Sequence, residues 1–170
     1  MKIIFAVIFL AVSLVSPAAN AAEGQLEGFG KIKFGMKRNT VVGLLGDQIT
    51  QYEDLYVGYR TSIEGHPVYV FQYFDAPRSL ERSAATNATI NFGSAKTSRG
   101  AVALFGRALK MLESSYGTPS DGVFERVAAR EAFWYFDAGG AISLLLVASS
   151  GNFRVTVTFA PATKNGLSRF

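Results

Sequence analysis

The chain has 170 residues, no cysteine and a single histidine, His66, so disulfides and thiol nucleophiles are excluded. A zinc site would need three carboxylate or water ligands, which is unusual. The formal net charge of +4 at pH 7 is too small to indicate nucleic-acid binding, which calls for a dense basic patch. No cofactor, metal or catalytic residue is therefore predicted.

The first 21 residues have the pattern of a secretory signal peptide. Lys2 supplies a positive start, residues 3–15 are almost continuously apolar, and Ala19 and Ala21 form a small-residue cleavage site. The apolar run is shorter than the roughly 20 residues that a membrane span needs, and no later stretch is long enough. We therefore predict cleavage after Ala21 and a periplasmic or secreted mature chain without a transmembrane segment.

The mature chain would cover residues 22–170, and its 149 residues (170 less 21) fit one domain. A short helix is predicted from about Lys37 to Leu45, and a longer one from about Arg99 to Tyr116. Thr97 or Ser98 can cap the longer helix. Its predicted apolar face consists of Val102, Phe105, Leu109, Leu112 and Tyr116, with Ala101, Leu104, Ala108 and Met111 at its margins.

The remaining apolar segments predict β-strands, because apolar and polar residues alternate along them with period two. The predicted strands are 55–63, 68–74, 86–92, 122–127, 131–137, 141–148 and 153–159. These elements predict an α+β fold, an antiparallel sheet with two helices packed on one face. Because a helix precedes a set of strands twice, we also predict a degenerate duplication, with halves 24–94 and 95–160.

Two aromatic-rich strands are the candidate binding surface. Residues 68–74 and 133–136 are apolar at every position except Gln72, so neither face of these strands is polar throughout. Tyr69 and Tyr73 must share one face, because side chains alternate along a strand. Aromatic residues on an open sheet face indicate binding, whereas a two-sided core would bury them. On the first interpretation, Tyr69, Tyr73 and Trp134 are candidate partner-binding residues.

The densest group of basic residues comprises Lys31, Lys33, Lys37 and Arg38. Such a group can contact an anionic component of a surface, such as lipid headgroups or an acidic protein. The alternative, which we favour, is an ordinary solvated strand edge followed by a helix start. Lysines on an edge strand also oppose aggregation.

The segment from Gly30 to Gly46 is similar to the opening of small exported α+β domains of the beta-lactamase-inhibitor-like superfamily. It also resembles the small lipoprotein of the outer-membrane assembly machine. The matching residues are Gly35, Met36, Val41, Leu44, Leu45 and Gly46, and Tyr116-Gly117-Thr118-Pro119 resembles the helix ending of such domains. Lys37 and Thr40 depart from the pattern, and the lipidation cysteine is absent. The resemblance implies a helix-plus-sheet module that binds other proteins and has no active site.

Two functional hypotheses follow. The first is a soluble periplasmic module without catalytic activity, which binds an envelope protein through the aromatic sheet face. The alternative is a carboxylate-dependent hydrolase of cell wall or sugar, using a pair such as Glu125 and Glu131 or Asp75 and Asp137. Such an enzyme needs two acids about 5–10 Å apart in a cleft.

Overall fold

The computed structural model describes residues 25–75, 83–121, 123–126, 129–149 and 151–161, so the predicted signal peptide lies outside the described residues. Two helices are present, α1 (Arg38–Leu45) and α2 (Ser98–Tyr116), and a 3₁₀ turn follows α1. The strands in chain order are β1 (Gly28–Phe29), β2 (Ile32–Lys33), β3 (Ile49–Tyr52), β4 (Tyr56–Ile63), β5 (His66–Phe74), β6 (Ala85–Ala95), β7 (Val123–Arg126), β8 (Ala129–Tyr135), β9 (Ala141–Ser149) and β10 (Asn152–Ala160).

The described strands form an eight-stranded antiparallel sheet and a small separate hairpin of β1 and β2. The order in the large sheet is β3-β4-β5-β6-β10-β9-β8-β7, so each half is a meander of four strands. Helix α1 precedes the first meander and α2 precedes the second. The two meanders are joined where β6 pairs with β10. The α+β class is therefore as predicted, and the duplication stays a prediction.

The two faces of the sheet differ in burial because its side chains alternate. In β5 the residues Val68, Val70, Gln72 and Phe74 are buried, and those between them keep part of their surface in solvent. We call the buried side of the sheet the inner face. The other side is the outer face, and its residues are given below.

Helix α2 covers part of the inner face. Thr97 caps the helix by accepting a hydrogen bond from the Gly100 amide at 3.2 Å. The helix ends at Gly117, whose φ of 77° suits glycine. Its buried stripe is Ala101, Phe105, Ala108 and Leu112, and it packs near Ile90, Phe92, Val157 and Phe159 of the sheet. Among the described residues no helix is long and apolar enough to cross a membrane.

Helix α1 is short and starts without a side-chain cap at Lys37. Val41 and Leu45 are buried, whereas Leu44 is 47% exposed. Arg38, in the first turn, points inward, and its guanidinium lies 5.0 Å from the ring centroid of Phe74 on the inner face. That both helices pack on the same face stays a prediction.

A candidate binding face on the sheet

The outer face carries aromatic residues on both flanks and polar residues in the centre. Strand register places these residues in rows across the sheet. The β4–β5 flank carries Tyr56, Arg60, Tyr69, Phe71 and Tyr73; the centre carries Thr89, Asn91, Thr156 and Thr158; and the β8–β9 flank carries Glu131, Phe133, Tyr135, Ser143 and Leu145. Arg60 is exposed and the others are half-buried. The polar centre is thus typical of a solvated sheet face, whereas the aromatic flanks are not.

Three ring contacts link four residues of the β4–β5 flank, and we call them the aromatic cluster: Tyr56, Tyr69, Phe71 and Tyr73. The Tyr56 ring centroid lies 5.6 Å from those of both Phe71 and Tyr73. Tyr69 and Phe71 are 4.9 Å apart in an edge-to-face arrangement. These separations are typical of favourable aromatic pairs. The cluster is therefore ordered before any partner arrives.

Tyr69 has a structural task within this cluster. Its ring lies across Gly58 of β4, where an added Cβ would approach the Tyr69 hydroxyl to 2.4 Å. That hydroxyl accepts a hydrogen bond from Thr50 Oγ1 at 2.9 Å, on the edge strand β3. Because the glycine leaves room, one tyrosine ties three strands together, and its ring fills the gap left by the missing side chain.

Tyr56 is held from the edge strand as well. Gln51 Nε2 donates a hydrogen bond to the Tyr56 hydroxyl at 2.7 Å. Loss of hydration at this site raises the pKa of Tyr56 above its usual value, and the Glu53 carboxylate adds to the increase. The phenol therefore stays neutral at physiological pH.

The structure brings Tyr69 and Tyr73 together but places Trp134 elsewhere. Trp134 is 0% exposed on the inner face, and its indole N–H donates to the Gly117 carbonyl at 2.7 Å. Its strand neighbours Phe133 and Tyr135 are on the outer face instead, with parallel rings 6.1 Å apart. Trp134 is thus a core residue that joins the end of α2 to the sheet, and it cannot contact a partner beside Tyr69.

The basic group predicted from the sequence does not form one surface. Arg38 is 1% exposed and donates to the carbonyls of Glu53 and Asp54. Lys33 is exposed but pairs with Glu27 at 2.7 Å. Lys31 and Lys37 remain exposed, one in the β1–β2 turn and one before α1. The structure therefore removes Arg38 from the candidate anionic-surface contacts.

The carboxylates of the described residues are scattered. Glu131 stands opposite Phe124 in the sheet, and the partner of Glu125 is Arg130, so the two glutamates are not directly paired. Asp75 is engaged by the backbone amide of Ala84 at 2.6 Å. No group of three or more potential metal ligands occurs among the described side chains.

Comparisons of the chain with protein-family models, curated proteins and solved structures found no match. The resemblance to the beta-lactamase-inhibitor-like superfamily therefore stays an expectation from the sequence.

Proposed function

We propose that the protein is a non-catalytic binding or accessory module of the cell envelope, which docks a partner protein on the aromatic cluster. The observation that carries this proposal is a row of four aromatic rings, partly exposed and linked by three ring contacts, on the outer face of a sheet whose inner face already forms the core. A solvated sheet face would carry polar side chains at these positions.

The chemistry of the cluster suits a protein partner. Aromatic residues, tyrosine above all, are enriched at protein interfaces because the ring supplies contact area and the hydroxyl tolerates water. The hydrogen bonds from Thr50 and Gln51 fix two of the hydroxyls in place. Side chains ordered in advance lose little conformational entropy on binding, so more of the contact energy appears as affinity.

Site-specific crosslinking tests where the partner sits. A photoreactive phenylalanine analogue replaces Tyr73 in one variant and Leu44, an exposed residue of α1, in another. Irradiation of cells should give an adduct with a second protein from position 73 and none from position 44. Equal adducts from both positions, or none from position 73, would contradict the proposal.

The captured partner then permits a quantitative test. Phe71→Ala combined with Tyr73→Ala should weaken its binding by about thirtyfold or more, as loss of a hot spot of about 2 kcal/mol does. Leu44→Ala combined with Val102→Ala, which removes exposed apolar groups from the helices, should leave binding unchanged. Tyr69 is left intact because it covers Gly58. If the Phe71–Tyr73 variant melts far below the wild type, the cluster is instead a second core.

Export is part of the proposal. The signal pattern places the mature N-terminus at Ala22, four residues before Leu26, the first buried residue that the structure describes. Mass spectrometry of the protein from the periplasm or medium should therefore find a chain that begins with Ala22. A chain that keeps Met1-Lys2 would contradict both cleavage and the assigned compartment.

A further inference from the structure

A recess of about 390 Å³ opens on the outer face next to the aromatic cluster. It is formed where β4, β5 and β6 run side by side, and Tyr69 belongs both to its wall and to the cluster. Because the Tyr69 hydroxyl is bonded to Thr50 on the far side of β4, the ring leans away from the recess. The recess is lined by Arg60, Thr61, Pro67, Val68, Tyr69, Asn91, Phe92, Gly93 and Ser94.

The lining of the recess has one charge, and that charge is positive. Arg60 is exposed, and the structure shows no ion pair for it among the described residues. No carboxylate lines the recess, whereas Ser94, which stands opposite Arg154, contributes a hydroxyl donor. Arg154 of β10 stands directly opposite Ser94 and is likewise exposed and without an ion pair among the described residues. Two unpaired guanidinium groups near one recess attract an anion.

We infer that this recess binds an acidic side chain, Asp or Glu, of the partner segment that docks on the aromatic cluster. The inference rests on the proposed function and specifies the chemistry of the partner. Arg60 offers a planar fork of N–H donors that matches a carboxylate, and the Ser94 hydroxyl can complete the contacts. The neighbouring residues of the partner segment are apolar and pack on Phe71 and Tyr73. The charge of the recess thus selects the partner and fixes its register on the sheet.

A selection experiment tests the inference without knowledge of the natural partner. A library of displayed random 12-residue peptides is selected on the purified wild-type protein and, separately, on the Arg60→Gln/Arg154→Gln variant. Peptides retained by the wild type should combine apolar or aromatic residues with at least one Asp or Glu. The variant should retain peptides without this acidic enrichment, because glutamine keeps hydrogen-bonding capacity but not the charge.

Individual selected peptides then give the size of the effect. Arg60→Gln should weaken the binding of an acidic peptide about tenfold. Replacing the peptide's acid by its amide should have the same effect, since both changes break one charged pair. Arg107→Gln, on the exposed side of α2, serves as the control and should change nothing. Both the affinity and the difference between the variants should fall as salt is raised from 50 to 500 mM, because salt screens exposed charges.

The failures are distinguishable. If the selected peptides depend on Phe71 and Tyr73 but show no acidic preference, the recess is not an anion site and the docking function still stands. If no selected peptide depends on Phe71 and Tyr73, both the recess and the docking function are rejected. If acidic peptides bind but are insensitive to Arg60→Gln, the carboxylate lies elsewhere and the inference is overturned.

Discussion

Arg38 is a charged residue in the interior, and its environment shows how a lone guanidinium is accommodated. Its carbon Cζ lies 4.7 Å from the ring centroid of Tyr52 and 5.0 Å from that of Phe74. The two terminal nitrogens donate to the carbonyls of Glu53 and Asp54, in the turn between β3 and β4. Aromatic faces and carbonyl oxygens replace water around the two terminal nitrogens, whereas Nε has no hydrogen-bond partner among the described residues. The helix start is thereby fastened to the edge of the sheet.

Removal of this group should destabilise the fold. Arg38→Ala leaves two carbonyls without their donor, and hydrogen bonds to charged groups contribute roughly 1.5–3 kcal/mol each. We expect the free energy of unfolding to fall by about 3 kcal/mol, and Arg38→Lys to recover little of it, because an ammonium cannot form the planar fork. Urea unfolding measures both changes. Lys37→Ala, at the adjacent exposed side chain, is the control, and an Arg38→Ala loss no larger than that of the control would contradict this role.

The sequence predicts least well whether an individual side chain is buried or exposed. Lys37 and Arg38 look alike there, as charged residues at a helix start, yet Lys37 is exposed and Arg38 is buried. In the strand around Trp134 every position from 133 to 136 is aromatic, so alternation alone cannot say which set faces inward. In the structure the two alternating sets of residues differ in burial in this strand and in the strand around Tyr69, as the period-two pattern requires. Which set of residues in the Trp134 strand faces inward depends on tertiary contacts, such as the hydrogen bond from the Trp134 indole to the Gly117 carbonyl.

The sequence predicts the bounds of an element well where its hydrophobic period is strong. Helix α2 begins one residue before its predicted start and ends at Tyr116, and its cap at Thr97 is confirmed. The edge strand β3, Ile49–Tyr52, was not predicted, because Thr50 and Gln51 give it no apolar pattern and an edge strand buries little. The hairpin of β1 and β2 has only two residues on each side, too few for any period to be read.

The buried stripe of α2 is rotated relative to the one predicted from the sequence. Val102 is 38% exposed, and Leu109 is only partly buried, whereas Ala101 and Ala108 are fully covered. Phe105, which is 1% exposed, therefore lies nearer the centre of the contact than Leu109. A wide apolar face predicts which side of a helix is covered. It does not predict the midline of that side, the row of residues at the centre of the contact, because residues at the margins bury less.

Truncation of side chains along α2 tests this midline. Phe105→Ala should lower the free energy of unfolding by roughly 3–5 kcal/mol, because the phenyl ring is 1% exposed and its loss leaves a cavity. Leu109→Ala, at the margin, should cost clearly less. Arg107→Ala, on the exposed side, should change stability by no more than about 0.5 kcal/mol. Thermal melts of the three variants give the order, and a larger loss for Leu109→Ala than for Phe105→Ala would place the midline where the sequence predicted it.

The order of the strands is a property of the whole molecule that short-range patterns could not give. Tight turns at Gly139 and Gly151 predict that neighbouring strands form hairpins, and those pairings are present. The pairing of β6 with β10 joins residues more than fifty positions apart, as Thr89 with Thr158. Nothing in the alternation of either strand specifies its partner. The centre of the outer face therefore forms only when this pairing joins the two halves, and its polar residues could not be predicted from the sequence, although the shared face of Tyr69 and Tyr73 could.

Tyrosine side chains that are shielded from water should make the whole fold less stable at alkaline pH. Tyr59 of β4 is 4% exposed, and burial raises the pKa of its phenol far above the usual range; burial also raises the pKa of Tyr116. In the unfolded chain these phenols ionise near pH 10. Below that pH both states keep the proton and the native contacts contribute fully. Above it the unfolded state loses protons that the native state retains, so the free energy of unfolding falls as pH rises.

Urea unfolding between pH 8 and pH 12 measures this loss. Each phenol that stays protonated in the native state should lower the free energy of unfolding by up to about 1.4 kcal/mol per pH unit above pH 10. Tyr59→Phe keeps the ring and removes the titrating group, so its stability should fall less steeply with pH than that of the wild type. Leu44→Ala, which removes an exposed side chain that does not titrate, is the control, and its slope should equal that of the wild type. An unchanged slope in Tyr59→Phe would mean that this phenol ionises as readily in the native sheet as in the unfolded chain, and that β4 does not shield it from water.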